Sequence, residues 1–339
     1  MSKKTILVTG SAGFIGSNFV PYFLETYKDV NIVSLDKLTY AGNLNNLSEI
    51  NDNSRHKFIQ GDICDPKILE LLFSEYSFDA VIHFAAESHV DNSIHNPKIF
   101  LETNIIGTFQ LLQKAYTEWF DSPFQIKDNF KHAKFIHIST DEVFGSLGED
   151  GYFTELSPYQ PNSPYSASKA SSDHLVRSYF HTYGLPVMIT NCSNNYGPKQ
   201  HDEKLIPTII RNALSEKNIP IYGTGSNVRD WLFVLDHAKG IDKVFHSGKV
   251  GETYNIGGNN ELTNNEVVAI VCNHLDQLNP RKNGKSYSEL ISYVSDRPGH
   301  DKRYAIDATK MKKELGWTPS ETFSTGILKT IQWYISKYK

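Results

Sequence analysis

Two hydrophobic patterns alternate over the first 190 or so residues. Short runs that are apolar at nearly every position occur at residues 5–9 (TILVT), 31–36 (NIVSLD), 79–85 (DAVIHFA), 134–139 (KFIHIS) and 186–191 (PVMITN). Rich in β-branched residues, they predict strands buried on both faces. Between them lie longer amphipathic stretches, at 14–27, 66–76, 97–119 and 164–183, which predict helices. Three of these begin at Pro66, Pro97 and Pro164. Proline suits a first helical turn because the N–H it lacks would have no partner there. Strand–helix alternation implies right-handed crossovers and an α/β fold, a Rossmann-like doubly wound parallel sheet.

Beyond about residue 195 the pattern loosens, and Gly, Pro and Asn cluster more densely. Helices are expected at 205–217 and 264–275, and strands at 230–234 and 253–256. The expected division is a nucleotide-binding domain at 1–195, with elements returned to it from about 225–258. Residues 196–339 form mainly a smaller C-terminal α/β substrate-binding lobe.

Composition narrows the class. A chain of 339 residues that is 39% hydrophobic and 12% aromatic can build a sizeable core, which excludes global disorder. The net charge of −4, without a long basic run, argues against nucleic-acid binding. No apolar run reaches the roughly 18 residues a membrane span requires. Met1-Ser2-Lys3-Lys4 leads into too few apolar residues for a secretory core. Cys64, Cys192 and Cys272 form no Cys-x-x-Cys or Cys/His cluster, so no metal site is expected, and sparse thiols suit a reducing cytoplasm. Asn46-Leu47-Ser48 and Asn191-Cys192-Ser193 are read as chance matches to the glycosylation pattern.

The first strand runs into Gly10-Ser11-Ala12-Gly13-Phe14-Ile15-Gly16, a G-x-x-G-x-x-G turn opening a helix. One glycine permits the tight turn, one lets backbone approach a pyrophosphate, and one lets helix and strand pack closely. The helix N-terminus then offers unpaired N–H groups to phosphate. Asp36 ends the second strand twenty residues past Gly16, where a carboxylate would take the ribose hydroxyls and repel a 2′-phosphate. NAD is therefore expected over NADP, although Lys37 alongside works against that preference. Asp62 fits either an adenine contact or a simple turn.

Tyr165 and Lys169 lie four apart near the start of a helix, hence on one face. A phenol titrates near pH 10, too high for a base at neutrality. A nearby ammonium and a cationic nicotinamide would lower it. Thr140 stands at a strand end followed by Asp141 and Glu142, where ligands of open α/β sheets collect. Ser139 with Glu142 also fits a helix capping box.

TGSAGFIG (residues 9–16) and YSASK (165–169) resemble the extended short-chain dehydrogenase/reductase superfamily. Adding the Asp141-Glu142 pair, the sequence resembles the dTDP-glucose 4,6-dehydratase family across nearly its whole length. The resemblance includes DKLTYAGN (36–43), AAESHVDNSI (85–94), NCSNNYGP (191–198), NVRDWL (227–232) and DRPGHDKRYAID (296–307). Related 4-epimerases share the glycine turn and the Tyr/Lys pair but lack the two acids. The resemblance implies NAD as cofactor, dTDP-glucose as substrate, a homodimer, and an internally recycled oxidation at carbon 4 with loss of water across carbons 5 and 6. It gives Tyr165 the 4-hydroxyl proton, supported by Lys169 and Thr140. It makes Glu142 the base at carbon 5 and Asp141 the acid for the departing 6-hydroxyl.

It also implies that Phe14, Ile15, Asp36, Lys37, Leu38, Thr39, Asp62, Ile63, Ala85, Ala86, Glu87, Thr103 and Asn195 line NAD. Ser88, Thr140, Asn194, Lys204, Leu205, Pro220, Tyr222, Arg229, Asn264, Asp296, Arg297 and His300 would contact substrate. From the residues alone, Arg229 fits either a diphosphate clamp or a pair with Asp230 or another acid. Tyr222 fits base stacking or a packed strand end, and His89 and His300 fit structural histidines. For Asn264, NNELTNN offers several registers. Competing functions are another nucleotide-sugar dehydratase or a 4-epimerase of the same fold, and a catalytically silent NAD-binding regulatory protein. In the resemblance, helices 97–119 and 164–183 form the dimer contact, and apolar Phe100, Ile105, Phe109 and Leu112 fall roughly on one face.

Overall fold

A computed structural model describes residues 3–338. Met1 and Ser2, the first two residues of the Met1-Ser2-Lys3-Lys4 stretch, lie outside them, as does Lys339. Seven strands form one sheet: β1 (Lys4–Thr9), β2 (Val30–Asp36), β3 (His56–Gln60), β4 (Ala80–His83), β5 (Lys134–Thr140), β6 (Val187–Cys192) and β7 (Thr253–Ile256). Their order is β7-β6-β5-β4-β1-β2-β3 and every pairing is parallel. The order reverses at β1, between β4 and β2, and the crevice at the strands' carboxyl ends opens there. One strand, β3, had no counterpart among the expected five and two. Its His56-Lys57 polar start and half-exposed pattern hide it from a search for continuous apolar runs.

Both sheet faces carry a core. One packs Phe19, Phe23 and Ile241 on Ile6, Val8 and Ile136. The other packs Leu69, Leu111, Trp119 and Val176 on Leu7, Val81 and Phe135. Trp119 is fully buried and donates its indole N–H to the Phe78 carbonyl. Burying large apolar side chains of this kind contributes about 1.5–3 kcal/mol each.

Helix Pro164–Tyr183 has the expected bounds, opened by a Ser163/Ser166 capping box and closed by Gly184 in the left-handed region. The expected helix 97–119 is not regular. Its Leu101–Gly107 portion is a π-helix between Pro97–Phe100 and Thr108–Trp119. In this wide turn Asn104 holds the Glu87 backbone from both sides, accepting from its N–H at 2.8 Å and donating to its carbonyl at 3.0 Å. Of the expected apolar face, Phe100 and Leu112 are fully buried within the chain, Ile105 is half-buried and Phe109 is exposed; Leu101 and Ile106 are exposed with it.

The second half has its own core around Tyr196, Ile210, Val271 and Ile331. Strand Val228–Phe233 belongs to this half, pairing with Asn194–Tyr196, Glu261–Thr263 and Arg303–Tyr304. The chain then returns: helix Val234–Ser247 packs on helix Phe14–Thr26, where Phe23 meets Phe245 edge-on, and β7 extends the sheet. Asn191 is fully buried in β6, which removes it as a glycosylation acceptor.

Candidate active site

One cleft runs along the carboxyl ends of the strands. It is lined from the glycine turn through Asp36, Asp62 and Thr103 to Thr140, Glu142, Tyr165 and Lys204. The turn has the shape the glycines predict. Gly10 has φ +71°, and a Cβ there would lie 2.5 Å from the Ala85 nitrogen. At Gly16 a Cβ would lie 2.4 Å from the Gly10 carbonyl oxygen. Gly13 differs: its nearest neighbour would be 3.4 Å away, so its bare backbone matters to whatever approaches from the cleft. Gly13 also leaves helix Phe14–Thr26 without a side-chain cap. Open helix N–H groups over a glycine cradle fit a diphosphate.

Asp36 accepts from the backbone N–H groups of Ala12 and Leu38, each at 2.8 Å, tying the end of β2 to the glycine turn. Burial nevertheless raises its carboxyl above the usual range. Lys37 pairs with Asp62 at 2.7 Å, so its charge is engaged rather than free to attract a 2′-phosphate. Phe14, Ile15, Lys37, Thr39, Ile63, Ala85, Ala86, Glu87 and Asn195 share the same wall. Leu38 does not: its side chain packs against the core, and only its N–H serves the site, through Asp36. These residues fit NAD, whose diphosphate the turn would hold and whose ribose Asp36 would meet.

At the other end, β5 delivers Thr140 and a 3₁₀ turn, Asp141–Phe144, follows. The cap is Thr140, whose side-chain oxygen accepts from the Glu142 N–H, and not Ser139, whose hydroxyl donates to Asp173 at 2.7 Å. The alternative reading of Ser139 and Glu142 as a capping box is thus excluded, because Ser139 points into the sheet–helix interface.

The two acids sit in different surroundings. Asp141 is buried, with one oxygen facing the Thr140 hydroxyl at 3.3 Å and the other unpartnered. Burial, then Glu142 and Asp230, push its pKa well above the ordinary carboxylate range. Glu142 lines the cleft; burial raises its pKa too, but Arg297, Lys204 and Arg229 oppose the shift. Asp141 is thereby biased towards the acid and Glu142 towards the carboxylate.

Tyr165 is buried beside this pair, and its pKa lies well above that of a free phenol, from burial first and Glu142 next. Among its neighbours Thr140 opposes the rise. The Lys169 ammonium donates to the Ile138 carbonyl at 2.8 Å and lies 3.4 Å from His137 Nε2.

Of the substrate candidates, Ser88, Thr140, Asn194 and Lys204 line the cleft, and the Lys204 ammonium donates to the Ser88 carbonyl at 3.0 Å. The others lie outside its wall. Leu205 packs against the second core, and Pro220 sits in strand Ile219–Tyr222, paired with Ile291–Val294. Asn264 is buried at the start of a helix. Among the described residues Arg229 pairs with no acid: it donates to the Val228, Lys302 and Asp301 carbonyls and stacks 4.3 Å over Tyr304. Asp230 is taken by the N–H groups of Gly258 and Asn260. Arg297 pairs with Asp91 at 3.0 Å, Tyr222 donates to the same carboxylate, and His300 meets Asp296 at 2.6 Å. This bridge joins the second half to helix Val90–His95. Neither Asp91 nor the buried Asn104, His137 and Asp173 was singled out from sequence; only Asp173, four residues past Lys169, carried a usable signal.

Fold and site together define an extended short-chain dehydrogenase/reductase. Residues 7–330 match the family model described as GDP-mannose 4,6 dehydratase. A dTDP-glucose 4,6-dehydratase of Xanthomonas campestris pv. campestris is 56% identical over 333 residues, covering 98% of this chain and 93% of that one. The dTDP-glucose 4,6-dehydratase of Streptomyces venezuelae, solved with NAD bound, superposes with a TM-score of 0.88 at 45% identity, covering 98% and 97% of the two chains. A UDP-glucose 4-epimerase of Thermotoga maritima reaches a TM-score of 0.85 at only 27% identity, covering 99% and 100%. The backbone is therefore shared with epimerases, and sequence separates the two. The chain belongs to the dTDP-glucose 4,6-dehydratase family.

Proposed function

We propose that the protein converts dTDP-glucose to dTDP-4-keto-6-deoxyglucose, and that the unlike environments of Asp141 and Glu142 carry the reaction. NAD, held by the glycine turn and Asp36, would supply the acceptor for the carbon 4 hydride and the same hydride for carbon 6 once water has left. Thr140 and Tyr165 hold the sugar 4-hydroxyl, and Tyr165 takes its proton as carbon 4 is oxidised. A ketone at carbon 4 acidifies the hydrogen on carbon 5, which ionised Glu142 removes. Asp141, kept protonated by burial, donates to the 6-hydroxyl, which departs as water. A proton then returns to carbon 5 from Glu142. The cations around Glu142, namely Lys204, Arg229 and Arg297, suit an anionic nucleotide sugar. The acid pair speaks against a 4-epimerase, which expels no hydroxyl, and the intact Thr140, Tyr165 and Lys169 against a silent binder.

The proposed division of labour is NAD on residues 1–195 and the sugar nucleotide mainly on 196–339, in the cytoplasm; no helix among the described residues is long and apolar enough to cross a membrane. Incubation with dTDP-glucose should yield a 4-keto product absorbing in alkali, without net reduction of NAD. UDP-, CDP- and GDP-glucose should react far more slowly. Formation of a 4-epimer instead would overturn the reading.

A homodimer is part of the same proposal. Leu101, Ile106 and Phe109 leave apolar surface on one helix, and Ala167, Ser171 and Ser178 keep the neighbouring helix Pro164–Tyr183 slim enough for close approach. Phe109→Glu should shift the mass measured by light scattering from dimer to monomer; an unchanged mass would move the interface elsewhere.

A further inference from the structure

Beneath Tyr165, Lys169 is embedded in a buried group of polar side chains whose other members the proposed chemistry does not use. Lys169 on helix Pro164–Tyr183, His137 on β5 and Asp173 one turn further along the helix are all excluded from water. His137 Nε2 is 3.4 Å from Lys169 Nζ, 3.2 Å from Asp173 Oδ1 and 3.2 Å from Ser172 Oγ. The Ser172 hydroxyl donates to the Lys169 carbonyl, so its oxygen accepts from His137, which puts the imidazole proton on Nε2. Asp173 Oδ2 accepts from Ser139 at 2.7 Å and from the Tyr159 hydroxyl at 3.0 Å.

An ammonium buried without a counter-charge tends to lose its proton. The titratable groups near Lys169 are His83 on β4, His137 on β5, Cys192 on β6, and Tyr165 and Asp173 on its own helix; Arg177 and Tyr159 lie near Asp173. Burial holds His137 down to about 4 and keeps the His83 ring neutral. It also pushes the Cys192 thiol up, so that it stays protonated. Asp173 is the carboxylate left to answer the ammonium.

We infer that Asp173 is the buried counter-ion of Lys169 and that His137 is the neutral spacer between them, both acting as positioning residues. The Ser139 and Tyr159 hydroxyls aim the carboxylate, and the His137 ring, whose Nε2 faces both Lys169 and Asp173, adds no charge between them. The Ile138 carbonyl then sets the direction in which the ammonium points. This rests on the reading of Lys169 as part of the reaction centre.

The test compares pH profiles of kcat with dTDP-glucose. With Asp173 neutral, Lys169 loses its proton at lower pH, so in Asp173→Asn the alkaline limb should move down by about one pH unit or more. Asp173→Glu should restore much of the limb. Tyr159→Phe, which removes a hydrogen bond but no charge, should leave it in place. Equal displacement by Tyr159→Phe and Asp173→Asn would mean an architectural role and overturn the inference. If Asp173→Asn does not fold, lysine-selective NMR of the wild type, assigned with Lys169→Met, decides: Lys169 should still be an ammonium at pH 8, and a neutral amine there overturns the proposal. Lys169→Met also separates the two levels. Full activity in that variant removes Lys169 from the mechanism, whereas an inactive Lys169→Met with an unshifted Asp173→Asn removes only the counter-ion.

Discussion

Glu142→Gln lowers kcat about 10²–10⁴-fold, the usual contribution of a positioned general base, while NAD stays bound. Amide and carboxylate have nearly the same shape, so the cleft is kept and only proton abstraction at carbon 5 is lost. Oxidation at carbon 4 precedes that step. A single turnover of the variant should therefore show reduced cofactor accumulating at 340 nm, with little 4-keto-6-deoxy product. Wild-type product formation by the variant would take Glu142 out of the mechanism. The pH dependence follows from the same environment. Glu142 must be ionised, and its pKa is raised, so activity falls as pH drops through a value above the ordinary carboxylate range. Asp141 must be protonated and is raised further, so its loss of a proton is a second alkaline ionisation beside that of Lys169. Arg297→Gln removes one of the cations favouring ionised Glu142 and should move the acidic limb upward.

Tyr165→Phe should be at least as damaging but should fail earlier. Without the phenol nothing takes the 4-hydroxyl proton, so no absorbance at 340 nm develops even in a single turnover. The expected loss is again about 10²–10⁴-fold in kcat, with substrate binding largely retained because phenylalanine keeps the edge-on contact with Phe100. Comparing the two variants orders the chemistry: reduced cofactor with Gln at 142, none with Phe at 165. Reduced cofactor in Tyr165→Phe would assign the first proton to another group. The raised pKa of Tyr165 makes this test informative. In the protein alone the phenol is neutral, kept so by burial and then by nearby Glu142. A positive charge brought close by the bound cofactor would act on it directly.

Much of the frame was legible in the order of residues. The glycine turn, Asp36 at its distance from Gly16, and the Tyr165/Lys169 spacing are local features, so they survive translation from sequence to structure. Helix Pro164–Tyr183 was readable for the same reason, since Ser163, Pro164 and Gly184 mark its ends chemically. Strand β3 was missed because its half-exposed pattern resembles a loop, and the π-turn at Leu101–Gly107 because a hydrophobic pattern does not distinguish it from α-helix.

Side-chain partners were the weaker part. The Lys169 spacing from Tyr165 does not reveal that its ammonium bonds to the Ile138 carbonyl. Arg229 was weighed against Asp230 and instead holds carbonyls brought by the 301–302 segment. By itself the sequence determined the sheet, the phosphate turn and the kinds of acid and base present, because these depend on short-range geometry and residue chemistry. Only the tertiary structure decided how unlike the surroundings of the two acids are and which side chains enclose Lys169. Both depend on burial and on residues distant along the chain, which meet only when strands and lobe pack together.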